Sequence, residues 1–488
     1  MNYKYKFAVI VPVYNVEKYL AESLDSIVNQ TIGFEDNIQL ILVNDGSTDN
    51  SGAVCARYKD KYPDNVVYIE KENAGVSAAR NEALKHIDSK YTAFLDSDDK
   101  WALSAFEKAY DFIEKHYDEI DLVCCRVKRF EAQTNYHVLD YKFKAGTRIA
   151  DINDPEEYFS IQTLITSVIA KSDAIKDLEF DTRLICSEDT FFSTKIILKK
   201  CKIGLLKEAL YYYRQRSAKN STMDRIRTNK FYYDEMLDYF HLSLIEYSRQ
   251  QFGKVLPFVQ ATVTNDLMWR FEACETHKVL NDDEFTVYSK TLKVILEQLD
   301  DDIVFNHPMH KAYARRSAAA YFKYGVDYFK ALELKDNSLY YRKYNVFDMS
   351  QHNTLCVLNS IAASGNTFRV EVLIANWLLR STASGGRLVL KVGERFVKPK
   401  EILEYAPKTA RDINGGEYYY SSCVFRLKLK LKEGETAELT PHLIYGDQTA
   451  PICLNCTRSA MGINPHTTCL LQGAYTVTYE DDKVQIRR

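Results

Sequence analysis

The first 215 residues alternate between short apolar runs and segments with the periodicity of amphipathic helices. Apolar runs at 6–13, 38–43, 66–69 and 91–95 predict buried strands, and helical periodicity at 17–30, 51–62 and 76–87 separates them. This alternation predicts an α/β fold whose mostly parallel sheet is covered on both faces. Ligands bind at the carboxyl ends of the strands in such sheets. The polar clusters after Val13, Val43, Ile69 and Leu95 therefore indicate one shared cleft.

Two further changes of pattern divide the rest of the chain. Residues 222–345 contain several amphipathic helical segments (231–250, 257–279, 283–299 and 310–334), which predict a helical linker domain. Residues 346–488 hold ten of the 18 glycines and five of the ten prolines. Strand patterns at 369–374, 387–392, 424–432, 436–445 and 475–487 predict a β-sandwich there. The predicted boundaries are 1–221 for a catalytic domain, 222–345 for the linker and 346–488 for the sandwich.

Composition excludes several classes of protein. The 488 residues are 46% hydrophobic and 27% charged, which excludes global disorder, collagen and a disulfide scaffold. The net charge of −3 shows none of the basic excess of a nucleic-acid-binding protein. No run of about 18 apolar residues predicts a membrane span, and polar residues interrupt the first apolar stretch, unlike a signal peptide. We therefore expect a cytoplasmic protein.

The eleven cysteines are scattered, which is typical of reduced cytosolic thiols. Cys453 and Cys456 form the one CxxC motif, and with Cys469 or His466 they could make a zinc site. A second CxxC motif is absent from the sequence. This absence favours two thiols on one strand face over a zinc site.

Clusters of polar and acidic residues follow the predicted strands. They are VPVYNVE at 11–17, NDGSTD at 44–49, NAGVSAAR at 73–80 and DSDD at 96–99, with the pair Glu188-Asp189 further along the chain. Carboxylate oxygens at the end of a strand suit Mg²⁺ or Mn²⁺, which gain their other ligands from water and phosphates. The Asp96-Ser97-Asp98 triplet therefore indicates a site for a metal-bound diphosphate.

In this order, the clusters resemble the family 2 glycosyltransferases, which have the GT-A fold, over about residues 5–220. The resemblance implies that a UDP-sugar is the donor. It assigns uracil to the first cluster and Asp45, the phosphates to the neighbourhood of Arg80, and the ribose to Asp96. The implied nucleotide-sugar site comprises Pro12, Tyr14, Asn15, Glu17, Asp45, Asn73, Gly75, Arg80, Asp96 and Ser97.

The same resemblance implies the chemistry. Asp98 would bind the Mn²⁺ or Mg²⁺ ion, and Asp189 of the Glu188-Asp189 pair would be the catalytic base. The YYYRQR segment at 211–216 would cover the diphosphate through Arg214 or Arg216. The segment that follows, 217–222, departs from the short Gly-Ser form of the family. A single base predicts one displacement with inversion at the anomeric carbon.

Simpler structural roles exist for these residues. Residues 44–51 could form an Asx turn that caps a helix, and Arg80 could be a surface helix residue. Glu188-Asp189 could be an acidic pair that favours a helix N-terminus. A Rossmann dehydrogenase and a P-loop kinase are excluded, because their glycine motifs are absent. Two other classes stay open: a catalytically inactive carbohydrate-binding or assembly protein, and a nucleotidyltransferase, although VPVYNVE is not a Gly- and Lys-rich phosphate loop.

The order of domains along the chain indicates the class of acceptor. A family 2 domain followed by helices and a β-domain resembles the wall-teichoic-acid poly(ribitol-phosphate) N-acetylglucosaminyltransferases. The resemblance implies a polyanionic or polysaccharide acceptor of the cell envelope, peripheral attachment to the membrane and a homotrimer formed through the C-terminal domain. Arg426, Lys428, Lys430 and Lys432 would share one face of a strand. That face could be a solvated edge protected by lysines, a basic stripe that binds the acceptor, or a surface opposite the trimer interface.

Overall fold

The structure is a computed structural model that describes residues 3–216, 226–271, 279–308, 313–325, 328, 331–348, 356–375, 387–404, 420–445, 447–452, 455–456, 469–471, 475–480 and 483–488. The chain divides into two compact units. The first comprises Met1–Asp266, Gln298–Ile303 and His307–Met309, and the second Leu267–Glu297, Val304–Asn306 and His310–Arg488. The three domain boundaries drawn from the sequence stay a prediction.

A nine-stranded sheet forms the centre of the first unit. Its strands are β1 (Tyr5–Val13), β2 (Ile38–Asp45), β3 (Val66–Lys71), β4 (Ser89–Phe94), β5 (Lys100–Trp101), β6 (Leu122–Glu131), β7 (Arg148–Asp151), β8 (Val168–Lys171) and β9 (Lys202–Gln215). Their order is β3-β2-β1-β4-β8-β6-β9-β5, and β7 pairs with β9. Strands β1 to β4 are parallel, as the alternating pattern predicts, whereas β8 is antiparallel to both of its neighbours.

Helices cover this sheet. They are α1 (Leu20–Val28), α2 (Phe34–Asn37), α3 (Ser51–Lys61), α4 (Val76–Leu84), α5 (Ala105–Lys115), α6 (Ser172–Ile175) and α7 (Glu188–Lys200), with 3₁₀ turns at Val138–Phe143 and Ile165–Ser167. Helix α1 buries Leu20, Leu24 and Ile27, the face that periodicity predicts. It begins at Leu20 rather than residue 17, because Glu17 is held in a loop by hydrogen bonds to residue 50.

A cluster of aromatic side chains packs near the end of β4. The ring centroids of Trp101 and Tyr211 lie 5.0 Å apart in an edge-to-face arrangement, and Phe106 packs on both Trp101 and Phe7. All four side chains are buried. The Trp101 indole donates a hydrogen bond to the Phe94 carbonyl at 3.1 Å. The cluster therefore holds β5 and β9 against the end of β4, where the acidic triplet begins.

The chain continues through helices. They are two 3₁₀ turns (Ile226–Thr228 and Lys230–Tyr233), a π-helical turn (Leu237–Leu242), α8 (Ser243–Phe252), α9 (Pro257–Phe271), α10 (Asp282–Glu297), α11 (Asp301–Asn306) and α12 (Tyr313–Tyr324). The predicted helix over 310–334 is wrong in its second half. Gly325 takes φ +67°, beyond the last helical residue, and the chain then enters a strand at Leu332.

Three sheets follow in the second unit. A three-stranded sheet contains β10 (Leu332–Lys335), β11 (Ser338–Tyr341) and β12 (Tyr344–Asp348). A five-stranded sheet contains β13 (Cys356–Ser364), β14 (Thr367–Ala375), β17 (Glu401–Glu404), β18 (Tyr420–Lys428) and β21 (Asn455–Cys456). A seven-stranded sheet contains β15 (Arg387–Val392), β16 (Arg395–Val397), β19 (Thr436–Tyr445), β20 (Gln448–Pro451), β22 (Cys469–Leu471), β23 (Tyr475–Glu480) and β24 (Lys483–Arg487).

The two larger sheets, which are the predicted layers of the sandwich, contact each other through an aromatic pair. Phe368 of β14 meets Tyr475 of β23 with ring centroids 5.0 Å apart. In β18, Phe425 and Leu427 are buried and Arg426 and Lys428 are exposed, which confirms the predicted alternation. The strand ends at Lys428, so the predicted extension to residue 432 is wrong. Residue 453 of the CxxC motif lies outside the described residues.

Candidate active site

The predicted uracil site is built from two loops that bind each other. Glu17 accepts hydrogen bonds from the backbone and side-chain nitrogens of Asn50, each at 2.9 Å. Asn15, at φ +50°, accepts from the Thr48 amide at 2.8 Å, and the Val16 amide donates to Ser51 Oγ at 2.9 Å. The loops after β1 and β2 therefore form one rigid rim of the cleft. Whether Asn15 and Glu17 also contact uracil stays a prediction.

Asp45, the last residue of β2, binds the loop after β3. Its buried carboxylate accepts hydrogen bonds from the amides of Ala74 (3.0 Å) and Gly75 (2.8 Å) and pairs with Lys71 Nζ at 2.6 Å. The next residue, Gly46, has φ +73°, and a Cβ atom there would lie 2.9 Å from the Asn73 nitrogen. This close approach requires glycine and sets Asn73 and Gly75 beside Asp45.

The residues predicted to line the nucleotide site differ in exposure. Pro12 is half-buried near the end of β1, and Tyr14 is 51% exposed just beyond it. Asn73 and Gly75 are exposed. Tyr14 therefore exposes aromatic surface next to β1, which is the kind of surface on which a base can stack.

The guanidinium group of Arg80 contacts three carboxylates. Its side chain is buried, and its guanidinium donates to Asp189 at 2.6 Å, to Glu188 at 3.1 Å and to Asp96 at 3.0 Å. The guanidinium carbon lies 5.3 Å from the centroid of the Phe180 ring. The reading of Arg80 as a surface residue is therefore wrong. Its predicted position near the phosphates stays a prediction, because the contacts in this structure are with the acids.

Three acids around one guanidinium leave an excess of negative charge. Burial and the neighbouring Glu188 raise the pKa of Asp189 to about 7, although Arg80 and the Ile165 amide at 3.2 Å oppose the shift. Although 37% of the Asp96 side-chain surface is exposed in the cleft, desolvation and the charges of Asp189 and Asp98 raise its pKa to about 6. Asp189 is therefore poised to exchange a proton at neutral pH.

The two carboxylates that follow Ser97 have different environments. Asp99 is buried and accepts hydrogen bonds from the Tyr211 hydroxyl (2.8 Å) and the Arg214 amide (2.7 Å), and burial raises its pKa well above the ordinary value. Asp98 is partly exposed and forms an ion pair with Arg216. Ser97 itself is buried. Asp99 therefore ties β4 to β9, and Asp98 is the member of the pair that faces the cleft.

The two arginines of the YYYRQR segment also differ in burial and in their ion-pair partners. The buried guanidinium of Arg214 forms ion pairs with Glu22 and Glu131 and lies over the ring of Phe130, 4.4 Å from its centroid. Arg216 is half-buried, pairs with Asp98 and lies over the Tyr19 ring at 4.8 Å. Arg216 is thus the arginine placed beside Asp98. The partners of Arg214 were missed by sequence reasoning, because Glu22 and Glu131 lie in ordinary helix and strand patterns.

Among the residues that the structure describes, no three His, Cys, Asp or Glu side chains gather into a complete metal cage. A magnesium or manganese ion that binds a nucleotide usually takes one or two carboxylates and completes its shell with phosphates and water. Asp98 and Asp96, both at the end of β4, supply that donor set. The residues present therefore fit the predicted ion.

Comparison with known proteins agrees with this geometry. The family model described as Glycosyl transferase family 2 matches residues 8–240. An uncharacterized glycosyltransferase of Methanocaldococcus jannaschii is 30% identical over 233 residues, which are 46% of this chain and 76% of that protein. The chain belongs to glycosyl transferase family 2. The predicted family is therefore confirmed.

A second relative extends the match beyond the first unit. The minor teichoic acid biosynthesis protein GgaB of Bacillus subtilis is 35% identical over 413 residues, which are 82% of this chain. The match covers 44% of GgaB, so the chain spans less than half the length of this relative.

Solved structures confirm the predicted fold class. The crystal structure of Staphylococcus aureus TarS matches with a TM-score of 0.52 at 17% identity, covering 99% of this chain and 85% of that one. TarS 1-349 in complex with UDP-GlcNAc matches with a TM-score of 0.53 at 19% identity, covering 70% of this chain and 99% of that one. At these identities the likeness concerns the fold: a GT-A domain, helices and C-terminal antiparallel sheets. In the described part of the chain, no helix is both long and apolar enough to cross a membrane.

Proposed function

We propose that this protein transfers a sugar from a UDP-sugar to a hydroxyl group of a cell-envelope polymer, with inversion and with the help of a divalent metal ion. The observation that carries the proposal is the Asp189 carboxylate. It has a pKa of about 7, and Arg80 joins it to Asp96, two residues from Asp98 at the end of β4. A base and a diphosphate-binding acid pair in one cleft are what a glycosyl transfer requires.

The acceptor hydroxyl must lose a proton as its oxygen attacks the anomeric carbon of the sugar. Asp189 takes that proton, and the bond to the UDP oxygen breaks as the new glycosidic bond forms. A carboxylate with a pKa near the working pH is an efficient base, because it is ionised in the resting site yet holds the proton after transfer. Arg80 orients this carboxylate and keeps part of it ionised.

The departing diphosphate carries negative charge that must be neutralised. Asp98, with Asp96 beside it, would hold a Mn²⁺ or Mg²⁺ ion, which supplies positive charge to the leaving group when bound. Arg216, which lies next to Asp98, provides a second cation at the same position. The role predicted for Arg214 is less direct, since its guanidinium is committed to Glu22 and Glu131.

The relatives support the choice of donor and acceptor class. GgaB is named for teichoic acid biosynthesis, and TarS, a poly(ribitol-phosphate) N-acetylglucosaminyltransferase, has been crystallised with UDP-GlcNAc. We infer that the acceptor is a teichoic acid or a related anionic polysaccharide. The exposed cations of β18, Arg426 and Lys428, suit contact with such a polymer. The C-terminal sheets would also be the place for trimer formation, and the protein would attach to the membrane only peripherally.

A donor and acceptor screen tests the proposal. Purified protein is mixed with UDP-sugars and Mn²⁺, with and without teichoic acid polymer, and UDP release is measured. We expect polymer-dependent release that Asp189→Asn abolishes, while UDP affinity stays close to that of the wild type. Asp111→Asn, which changes an exposed acid on α5, is the matched control and should retain activity. UDP release by Asp189→Asn at the wild-type rate would remove Asp189 from the role of base.

A further inference from the structure

The residue before the acidic pair has an unusual backbone. Ser187 lies at φ +62° and ψ +6°, in the left-handed region, and its carbonyl accepts the first hydrogen bond of α7. Residues other than glycine adopt this conformation at an energetic cost, and it persists only where the surroundings enforce it. The conformation of Ser187 sets the direction in which α7 starts, and thereby the positions of Glu188 and Asp189.

A half-buried carboxylate and a buried histidine support this conformation. The Ser187 side chain does not cap its own helix, and instead donates a hydrogen bond to Asp266 Oδ2 at 2.7 Å. The other oxygen, Asp266 Oδ1, is hydrogen-bonded to His241 Nε2 at 2.8 Å. His241 is fully buried in the π-helical turn at Leu237–Leu242. Hydrogen bonds to a carboxylate are stronger than hydrogen bonds between neutral groups. The hydrogen bonds from Ser187 to Asp266 and between Asp266 and His241 therefore anchor the Ser187 side chain.

The residue before Ser187 is fastened to the same region. Cys186 Sγ lies 3.3 Å from Met236 Sδ, and Met236 is fully buried beside the π-helical turn. Residues 186 and 187 are thus attached to side chains that come 50 to 79 residues later in the chain. On the other side of the pair, the Ile165 amide donates to Asp189 Oδ2 at 3.2 Å. Asp189 is therefore held from two directions.

We propose that Asp266 and His241 are positioning residues for the transfer reaction, because they hold Ser187 in its left-handed conformation and so aim the Asp189 carboxylate. Neither residue lies among the predicted site residues. The inference rests on the proposed role of Asp189 as the base. Asp266 acts through Ser187, and His241 acts through Asp266.

Two substitutions at one position separate conformation from chemistry. Ser187→Ala removes the hydrogen bond and keeps the Cβ that disfavours the left-handed region, so kcat should fall by about 10- to 100-fold, with little change in donor KM. Ser187→Gly also removes the hydroxyl, but glycine adopts this conformation freely and should retain most of kcat. An equal loss in both variants would overturn the proposal, because the hydroxyl would then be needed for itself.

Substitutions at Asp266 test the anchor. Asp266→Ala should reduce kcat as Ser187→Ala does, and Asp266→Asn, which keeps an accepting oxygen, should recover part of it. In the Ser187→Gly background, Asp266→Ala should have little further effect on kcat, which gives a large coupling in a double-mutant cycle. Independent, additive losses at the two positions would refute the anchor.

The other end of α7 offers a matched control. Cys201 also takes a left-handed conformation, at φ +53°, immediately after the last residue of the helix. Cys201→Ala and Cys201→Gly should change the thermal midpoint of unfolding while kcat stays constant. If Ser187→Ala likewise lowers only the unfolding midpoint, its role is structural and the proposal is wrong.

Hydrogen exchange at the Ile165 amide tests the proposal without measuring transfer. Its hydrogen bond to Asp189 reports the position of that carboxylate, so hydrogen exchange at Ile165 should be faster in Ser187→Ala and Asp266→Ala and close to wild type in Ser187→Gly. Unchanged exchange in all variants would overturn the positioning role. If the wild-type protein releases no UDP with any donor, the proposed function fails, whereas the exchange rates still decide whether Asp266 positions Asp189.

Discussion

Replacing Arg80 by methionine would remove a cation that contacts Asp96, Glu188 and Asp189 together. The shortest contact, to Asp189, is 2.6 Å. A pair of charges about 4 Å apart is worth about 4 kcal/mol at the effective dielectric constant of a protein. At about 1.4 kcal/mol per pKa unit, the loss of Arg80 raises the pKa of Asp189 by at most about three units. Measured effects of a neighbouring opposite charge are about one to three units.

The sign of the effect follows from the role of Asp189. A base must be deprotonated, so activity rises with pH through its pKa, which is about 7 in the wild type. In Arg80→Met the ionised fraction at neutral pH should fall from about one half to between about a tenth and a thousandth. The acidic limb of the kcat profile should move to higher pH, and alkaline buffer should restore part of the activity.

The assay is UDP release with polymer acceptor across the pH range. Arg80→Lys, which keeps the charge, should leave the acidic limb near its wild-type position but lower kcat, since lysine cannot bridge three acids. Arg183→Met is the matched control, because it removes an exposed arginine that pairs with Asp181 outside the acid cluster. An acidic limb that stays in place in Arg80→Met, while the protein remains folded, would refute the electrostatic reasoning.

Three further predictions concern stability, metal and acceptor. Asp189→Asn should abolish transfer. It should also stabilise the fold by on the order of 2 kcal/mol at neutral pH, because the raised pKa of the Asp189 carboxyl means that the wild-type protein loses stability as the pH rises toward about 7. Thermal unfolding measures this change, and a lower unfolding midpoint in the variant would contradict it. EDTA or Asp98→Asn should stop UDP release, and full turnover in EDTA would reject the metal. Arg426→Glu with Lys428→Glu should weaken transfer to polymer but not to a short acceptor, most clearly at low salt; equal transfer would leave the stripe as a solvated edge.

The sequence predicted the elements that depend on local pattern. The apolar runs correctly located β1 to β4, and the motifs correctly placed the acidic clusters at their carboxyl ends, because strand burial and strand direction follow from the order of residues along the chain. The predicted helix over 310–334 failed where Gly325 ends α12. Strand β8 gave no signal either, since its four residues are too few for a period to show.

Contacts between residues that are far apart in the sequence could not be predicted from the sequence. Arg80 and Asp189 are 109 residues apart, and no periodicity connects them. The sequence also did not predict the different burial of Asp98 and Asp99. They are neighbours in one acidic run, and only the packing of β4 against Tyr211 of β9 decides that Asp99 is enclosed and Asp98 is not. Such distinctions arise from tertiary packing rather than from residue type.

The mutual binding of the loops after β1 and β2 has a consequence for the thermodynamics of donor capture. Glu17, Asn15 and Ser51 fix these loops to each other through contacts within the protein. The entropic cost of ordering that rim is therefore met when the chain folds rather than when the nucleotide arrives. Calorimetry of UDP binding should then show a small conformational entropy penalty, and Glu17→Gln should make that penalty larger.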